Sequence, residues 1–437
     1  MYLFMRSKDW IASVLLAYSL GLLAGVAGIR IAHAKVQDAT NVNTRYTVES
    51  IELTGIDEGR LSRSLRAELK RRVGEKFHPD IFAELAVRIK QELRARAVSP
   101  KLQRGTNAEN VKVLLDVEPG KSILDPSRSR IAFHGKQGWS GAGFITMEDA
   151  NQVVRGGYLN NGEDYLDRLQ GVSASYQRKF FRDKVRAGFQ FDGFSSQWNP
   201  ITTLATTNFA STNNGQFSSR QNYTPSVTYS PVDGIAISTG ISFTNFNFSQ
   251  ASQASSLGRG SSQALVTTLR LHRDWGELNT IRQTVSAEYG ARIGTQMAGG
   301  DYAFRRHQTE ARYIITVNRQ RLETSFVAGR LDGLAPLPER FVGGNSRILR
   351  GWNKYDIAPI GATRVIAGSI EYSMRVGQKW MPTAFADTGA VWSNSLAKVV
   401  RNSVGGGVRT RDGYYLYVAF PLKEGRVEPQ VMTGVNF

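Results

Sequence analysis

The 437 residues carry 55 Lys and Arg against 37 Asp and Glu, a formal charge of +18, at a mean hydropathy of −0.30. That mean excludes a bundle of membrane helices, each of which needs about 20 consecutive apolar residues. It does not exclude a membrane β-barrel, where only alternate residues of each strand face lipid. The absence of cysteine excludes disulfides and thiolate metal sites, and no basic run interleaved with aromatics marks a nucleic-acid module.

At the start of the chain, Arg6 and Lys8 precede an uncharged stretch from Trp10 to Ile29, closed by Ala32-His33-Ala34. A basic start, an apolar run and an A-x-A site describe a secretory signal over residues 1–34, with Ala32 and Ala34 at the cleavage site. The run is long for a signal, so an uncleaved anchor is the competing reading. No later segment is apolar for the length of a membrane helix.

Residues 45–119 read as a small α+β unit. Tyr46–Gly55 has the apolar positions Val48, Ile51 and Leu53 of a strand. Asp57 is placed to cap a helix that keeps Leu61, Leu65 and Leu69 on one face. Pro79 suits the first turn of a second helix with the stripe Ile81, Leu85, Ile89 and Leu93. Short strands follow near 98–103 and 111–117, so the order is β-α-α-β-β.

From 125 to 437 the period is two. Ile281, Val285, Ala287, Tyr289, Ala291 and Ile293 alternate with Arg282, Thr284, Ser286, Glu288, Gly290 and Arg292; Val185–Asp192 and Ala311–Val317 behave alike. A soluble sandwich alternates too. Strands of about ten residues with charged polar faces, segment after segment, favour a transmembrane antiparallel β-barrel. Sixteen segments fit between 129 and 437; the first three are the weakest, and fourteen is the alternative count. The polar stretch Asn208–Gln221 reads as an extracellular loop. Gly405-Gly406-Gly407 falls inside a strand, where glycine permits bending. At the end, Val427, Pro429, Val431, Thr433, Val435 and Phe437 share one face.

Three motifs carry a resemblance. Residues 340–352 read Arg-Phe-Val-Gly-Gly-Asn-Ser-Arg-Ile-Leu-Arg-Gly-Trp, where the alternation stops. Gly343, Gly344, Leu349, Arg350, Gly351 and Trp352 resemble the hallmark loop of the BamA/TamA superfamily (bacterial surface antigen family), with Trp where Tyr or Phe is usual. The resemblance implies a lid loop near 338–361 that folds into the barrel and whose arginine binds carboxylates on the inner wall. Glu371, in a segment similar to the following strand, and Asp387 with Gly389, in the next, stand at the family's acidic positions. Parity supports Glu371, opposite Ile370 and Tyr372. It supports Asp387 less, because Phe385 and Val391 share its face. Without the resemblance, an ordinary outer loop with solvated charges would read the same. Residues 45–119, with Gly55 and Phe77, resemble a POTRA (polypeptide-transport-associated) domain. Val431, Val435 and Phe437 resemble the C-terminal insertion signal of outer-membrane barrels.

The resemblance implies a barrel that inserts, assembles or translocates client proteins in the outer membrane of a diderm bacterium, its POTRA-like domain in the periplasm. Partners would be unfolded or secreted clients, captured by strand addition, with outer-membrane lipid and accessory assembly factors; nucleic acid is not expected. A dedicated exporter of one secreted partner and a passive porin are the alternatives. His33, His78, His134, His272 and His307 have no metal-site spacing, and H-E-x-x-H, G-x-S-x-G and phosphate-loop motifs are missing. No enzymatic activity and no cofactor are therefore expected. The high positive charge fits either a solvated lumen or phosphate-bearing partners such as lipid head groups.

Overall fold

The computed structural model describes residues 45–436, apart from 56–60, 62, 94, 96, 119–128, 149–150, 163–164, 182–183, 207–216, 249–259, 277–280, 297–298, 346–347, 378, 411–412 and 424–426. The signal-peptide reading of residues 1–34 with Ala32 and Ala34, the Asp57 cap and Phe437 lie outside the described residues.

The first unit comprises β1 (Thr47–Thr54), α1 (Arg63–Arg72), α2 (Pro79–Leu93), β2 (Ala97–Arg104) and β3 (Asn110–Glu118). Its sheet has the order β1-β3-β2, with β1 parallel and β2 antiparallel to β3. The leucine stripe of α1 and the apolar stripe of α2 close over this sheet. Leu65, Leu85, Ile89, Val113 and Leu115 are wholly buried, each contributing about 1.5–3 kcal/mol by leaving water. Gly55 has φ +85°, and a Cβ there would lie 2.1 Å from the Val117 carbonyl oxygen. Only glycine lets the chain leave β1 so close to β3.

Sixteen strands follow: β4 (Arg130–His134), β5 (Gly138–Glu148), β6 (Gln152–Asn160), β7 (Arg168–Phe180), β8 (Val185–Gln197), β9 (Phe217–Val232), β10 (Ile235–Phe248), β11 (Gly260–Gly276), β12 (Ile281–Gly294), β13 (Ala303–Val317), β14 (Gln320–Leu334), β15 (Arg364–Met374), β16 (Trp380–Trp392), β17 (Arg401–Thr410), β18 (Tyr414–Leu422) and β19 (Gln430–Asn436). Each pairs antiparallel with its sequence neighbour, and β19 pairs with β4, so the sheet closes on itself without an edge. The count is sixteen, including the three segments whose alternation is weakest. The closing seam is short: its register runs from Arg130↔Asn436 to His134↔Met432, against Ile281↔Val317 to Gly294↔Phe304 between β12 and β13.

The alternation maps onto two faces. Ile237, Leu265, Tyr289, Phe326, Ile370, Tyr372 and Leu416 point outward and are exposed, whereas Ser242, Thr244, Ser373 and Asp387 point inward and are buried. Two-residue turns such as Asp233-Gly234 and Asn318-Arg319 lie at the end where the chain enters; the longer connections, including 335–363, lie at the far end.

Two expectations change, and one element is new. Phe217–Gln221 belongs to β9 rather than to a loop over 208–221, because Ser218–Gln221 pair with both β8 and β10. Polar residues persist there since Arg220 lies over the Tyr165 and Phe194 rings, 5.3 and 5.2 Å from their centroids. A short helix, α3 (Pro200–Thr206), stands between β8 and β9. Val427 and Pro429 precede the last strand, which begins at Gln430; within it Val431 is exposed, and Met432 is buried in the lumen.

Candidate functional site

The connection between β14 and β15 turns into the barrel instead of out to solvent. After a 3₁₀ turn at Leu337–Glu339, Phe341 bridges to Ala362. The chain then descends to Arg350 and returns through the single-turn helix α4 (Lys354–Ile357), which Asn353 caps through a bond from the Tyr355 amide. Apolar residues hold this excursion inside the wall: Phe341, Leu349, Ile357 and Ala358 pack with Tyr302, Phe304, Val365 and Val391 in one buried cluster. Leu337, Val342 and Tyr355 pack with Leu166 and Trp198 in another.

The tip is set by backbone conformation. Leu349 has φ 58° although it is not glycine, and Gly351 has φ 90°. A left-handed non-glycine residue costs about 1–3 kcal/mol, so surrounding contacts must hold it. Those contacts are the burial of its side chain, 1% exposed, and the bonds of its neighbour. A Cβ at Gly351 would lie 3.1 Å from that of Ala419 on β18. Gly344, at φ 84°, lies similarly close to the Trp352 carbonyl. Gly389 stands opposite Ala367 across β15 and β16, and a Cβ added to it would lie 2.8 Å from that of Ala367.

Between Leu349 and Gly351 stands Arg350, 6% exposed. Its amide and Nε donate to Asp387 Oδ2, both at 2.9 Å, and Nη2 donates to Oδ1 at 2.8 Å. Nη1 donates to Glu371 Oε2 at 2.8 Å, and Nη2 to the Ser369 hydroxyl at 2.8 Å. The Ser369 hydroxyl in turn donates to Asp387 Oδ1 at 2.6 Å, and Arg409 on β17 lies 3.3 Å from Glu371 Oε1. Two cations therefore face two carboxylates, which is what makes burial of the group tolerable. The guanidinium also lies over the Phe385 ring, 3.6 Å from its centroid. Phe385 and Val391 share the Asp387 face because that face is covered by the loop rather than by water.

Other ties run around the wall. Gln137, between β4 and β5, donates to the Gly344 carbonyl at 2.7 Å. Trp352 Nε1 donates to the Asn402 carbonyl at 3.0 Å, with Arg401 over its ring. Lys354 donates to the Tyr165 carbonyl and Thr202 of α3 to that of Pro359. Glu339, at the base of the loop, lies 3.0 Å from Arg292 on β12, and its carbonyl accepts from Arg306 on β13 at 2.9 Å. Sequence reasoning brings forward Glu371 and Asp387 but misses Ser369, Arg409, Glu339 and Gln137. Ser369 was findable, two residues before Glu371 on the same face; the others depend on where the loop crosses the lumen. The remaining sequence-predicted positions, Val431 and Val435, lie at the seam and not in this site. No group of three or more His, Cys, Asp or Glu among the described residues is arranged to hold a metal ion.

A closed sixteen-stranded barrel with an apolar outer belt and an arginine loop in its lumen is a transmembrane barrel of the outer-membrane class. The Omp85 superfamily domain matches residues 158–422, more than half of the chain, and the protein belongs to that family. BamA from Haemophilus ducreyi lacking POTRA domains 1–3 is similar at TM-score 0.57 and 15% identity, covering 91% of this chain and 86% of that one. CdiB from Acinetobacter baumannii is similar at TM-score 0.56 and 11% identity, covering 90% and 74%. CdiB from Escherichia coli is similar at 0.53 and 12%, covering 90% and 77%. At these identities the likeness is one of fold.

Proposed function

We propose that the protein inserts or translocates client proteins at the outer membrane, with residues 45–118 on the periplasmic side. The observation that carries this reading is the Arg350 cluster: a loop from the far end is pinned to β15 and β16 deep in the lumen, which fixes the barrel's shape while leaving its seam short. Opening would begin where β4 meets β19 over Arg130–His134. β2 is an outer strand of the small sheet, and its solvent-side edge can take an extended client segment by strand addition. Periplasmic accessory factors could be recruited on the same sheet; the outward belt needs only lipid, and the site requires no cofactor or enzymatic step.

A passive porin fits less well. The loop crosses the lumen, touching the wall at Asp387 and Asn402 and the far-end connections at Gln137, Tyr165 and Thr202, so the open channel a porin needs is obstructed. A photo-crosslinker at Ser99, Lys101 or Gln103 of β2 should capture client chains in cells. Many captured species indicate general assembly; one indicates a dedicated exporter. No captured protein, together with steady ion conductance in planar bilayers, would refute both. Client delivery unchanged by Arg350→Ala would remove the proposed role of the loop.

A further inference from the structure

A second cationic group faces the membrane rather than the lumen. On the outer face of β13, β14 and β15, His307, Arg330 and Arg364 form one row across the registers His307↔Arg330 and Arg330↔Arg364. One step further from chain entry, Arg305 stands opposite Asp332. Asp332 is the only carboxylate in the group: it accepts from Arg330 Nε at 2.5 Å and from Arg364 Nη2 at 2.7 Å. The Leu331 and Thr363 carbonyls hold Arg364 as well. The Arg330 side chain is 66% exposed. Arg305 is exposed and has no ion pair among the described residues. Three arginines stand beside one carboxylate, which binds two of them, Arg330 and Arg364, and leaves Arg305 unpaired among the described residues.

The height of the row is set by the belt beside it. Outward residues on β15 run Met374, Tyr372, Ile370, Gly368 and Ile366 before Arg364. Ten residues at about 3.3 Å each, tilted by about 45°, rise about 23 Å, close to the roughly 25 Å of a barrel's apolar belt. Arg364 also pairs with Trp392, while Trp380 stands exposed on the same face at the other end of β16. Tryptophan marks both membrane interfaces of such barrels. The row therefore lies where hydrocarbon ends and head groups begin, at the end away from the first unit.

We infer that Arg305, Arg330 and Arg364 form a binding site for the phosphate of a lipid head group in the leaflet at this far end, which is the outer leaflet if the proposed periplasmic placement holds. Guanidinium forks match phosphate oxygens in pairs, and the adjacent belt receives the acyl chains of the same molecule. The occupant is a phosphate-bearing membrane lipid; a free phosphate would have no use for the belt. The site is separate from the Arg350 cluster and does not depend on the transport reading.

The test is lipid retention on the full-length protein in detergent, read by native mass spectrometry with diphosphoryl lipid A as probe. The combined variant Arg305→Gln, Arg330→Gln and Arg364→Gln is expected to weaken retention about tenfold or more. Asp332→Asn, which removes the competing anion, is expected to strengthen it, and this single surface change gives a reading even if the triple variant fails to fold. The inference is overturned if Asp332→Asn does not strengthen retention, or if a folded triple variant retains lipid A as the wild type does. It is equally overturned if dephosphorylated lipid A is retained as well as the diphosphoryl form. Displacement by inorganic phosphate at the lipid's own concentration would show a free-anion site instead.

Discussion

Arg350 is tied to Asp387 by three hydrogen bonds, one from its backbone amide and two from its guanidinium. Truncating the side chain thus leaves one bond in place and removes the charge that balances Asp387 and Glu371. Breaking a buried ion cluster from one side costs about 3–5 kcal/mol. Arg350→Ala should lower the barrel's unfolding midpoint in urea accordingly. Arg350→Lys should recover only a minor part, because a point charge cannot reach Asp387, Glu371 and Ser369 in one plane. Adding Asp387→Asn and Glu371→Gln to Arg350→Ala should restore more stability than Lys does. An unchanged midpoint in Arg350→Ala would show that the cluster is not holding the loop.

The base of the loop has the opposite polarity: Glu339 on the loop meets Arg292 and Arg306 on the wall. These two arginines are register partners on β12 and β13, so Glu339 also screens a like-charge pair. Glu339→Gln alone should leave the loop in place, held by Arg350. Combined with Arg350→Ala, it should free the loop. A cysteine replacing Asn345, 2% exposed in the folded loop, should resist maleimide in either single variant and react in the double. Reaction in the Glu339→Gln single variant would mean that the base alone holds the loop.

The barrel was legible because a strand's period of two survives any register, so all sixteen segments could be placed from local pattern. The arginine and its acids were legible only through their family motif, with parity favouring Glu371. The same parity argument counted against Asp387, since it treats an apolar lumen face as an error. Phe385 and Val391 are apolar there because a segment forty residues away covers them, and no local pattern encodes that cover. Glu339, Gln137 and Lys354 were hidden for the same reason: each acts through a contact more than thirty residues distant. The β9 boundary was missed because strands extend past the lipid belt, where polar sequence no longer separates strand from loop.

The glycine run of β17 has a different role from simple bending. A Cβ on Gly405 would lie 2.3 Å from the Phe385 ring and 2.4 Å from the Val418 carbonyl. Phe385 fills the space that Gly405 leaves empty, and Arg350 rests on Phe385. Gly405→Ala should therefore displace the ring and disturb the arginine above it, at about 1–3 kcal/mol for overpacking. Gly406→Ala, whose nearest neighbour is the Thr383 carbonyl at 3.2 Å, should cost less. The urea midpoints of the two variants decide the matter, and equal losses would mean that the Phe385 contact carries no special weight.

The small sheet should loosen in acid before the barrel does. Glu49 on β1 accepts from the Thr106 hydroxyl and amide, both at 2.6 Å, and Lys112 lies 3.6 Å away. These bonds, the Thr106 hydroxyl first, hold its carboxyl below the usual range. Asp116 is lowered chiefly by its bond from Lys101 and then by that from Thr54. A carboxylate lowered by folding contributes stability that is fully present above its unfolded value and lost as pH falls through the folded one. The β2–β3 hairpin should accordingly keep its protection at neutral pH and lose it progressively below about pH 4. Amide exchange at Thr106, corrected for intrinsic rate, should show this loss in the wild type. In Glu49→Gln the protection should be weaker at neutral pH and change less between pH 7 and pH 3. An identical pH profile in the two proteins would rule out Glu49 as the group that responds.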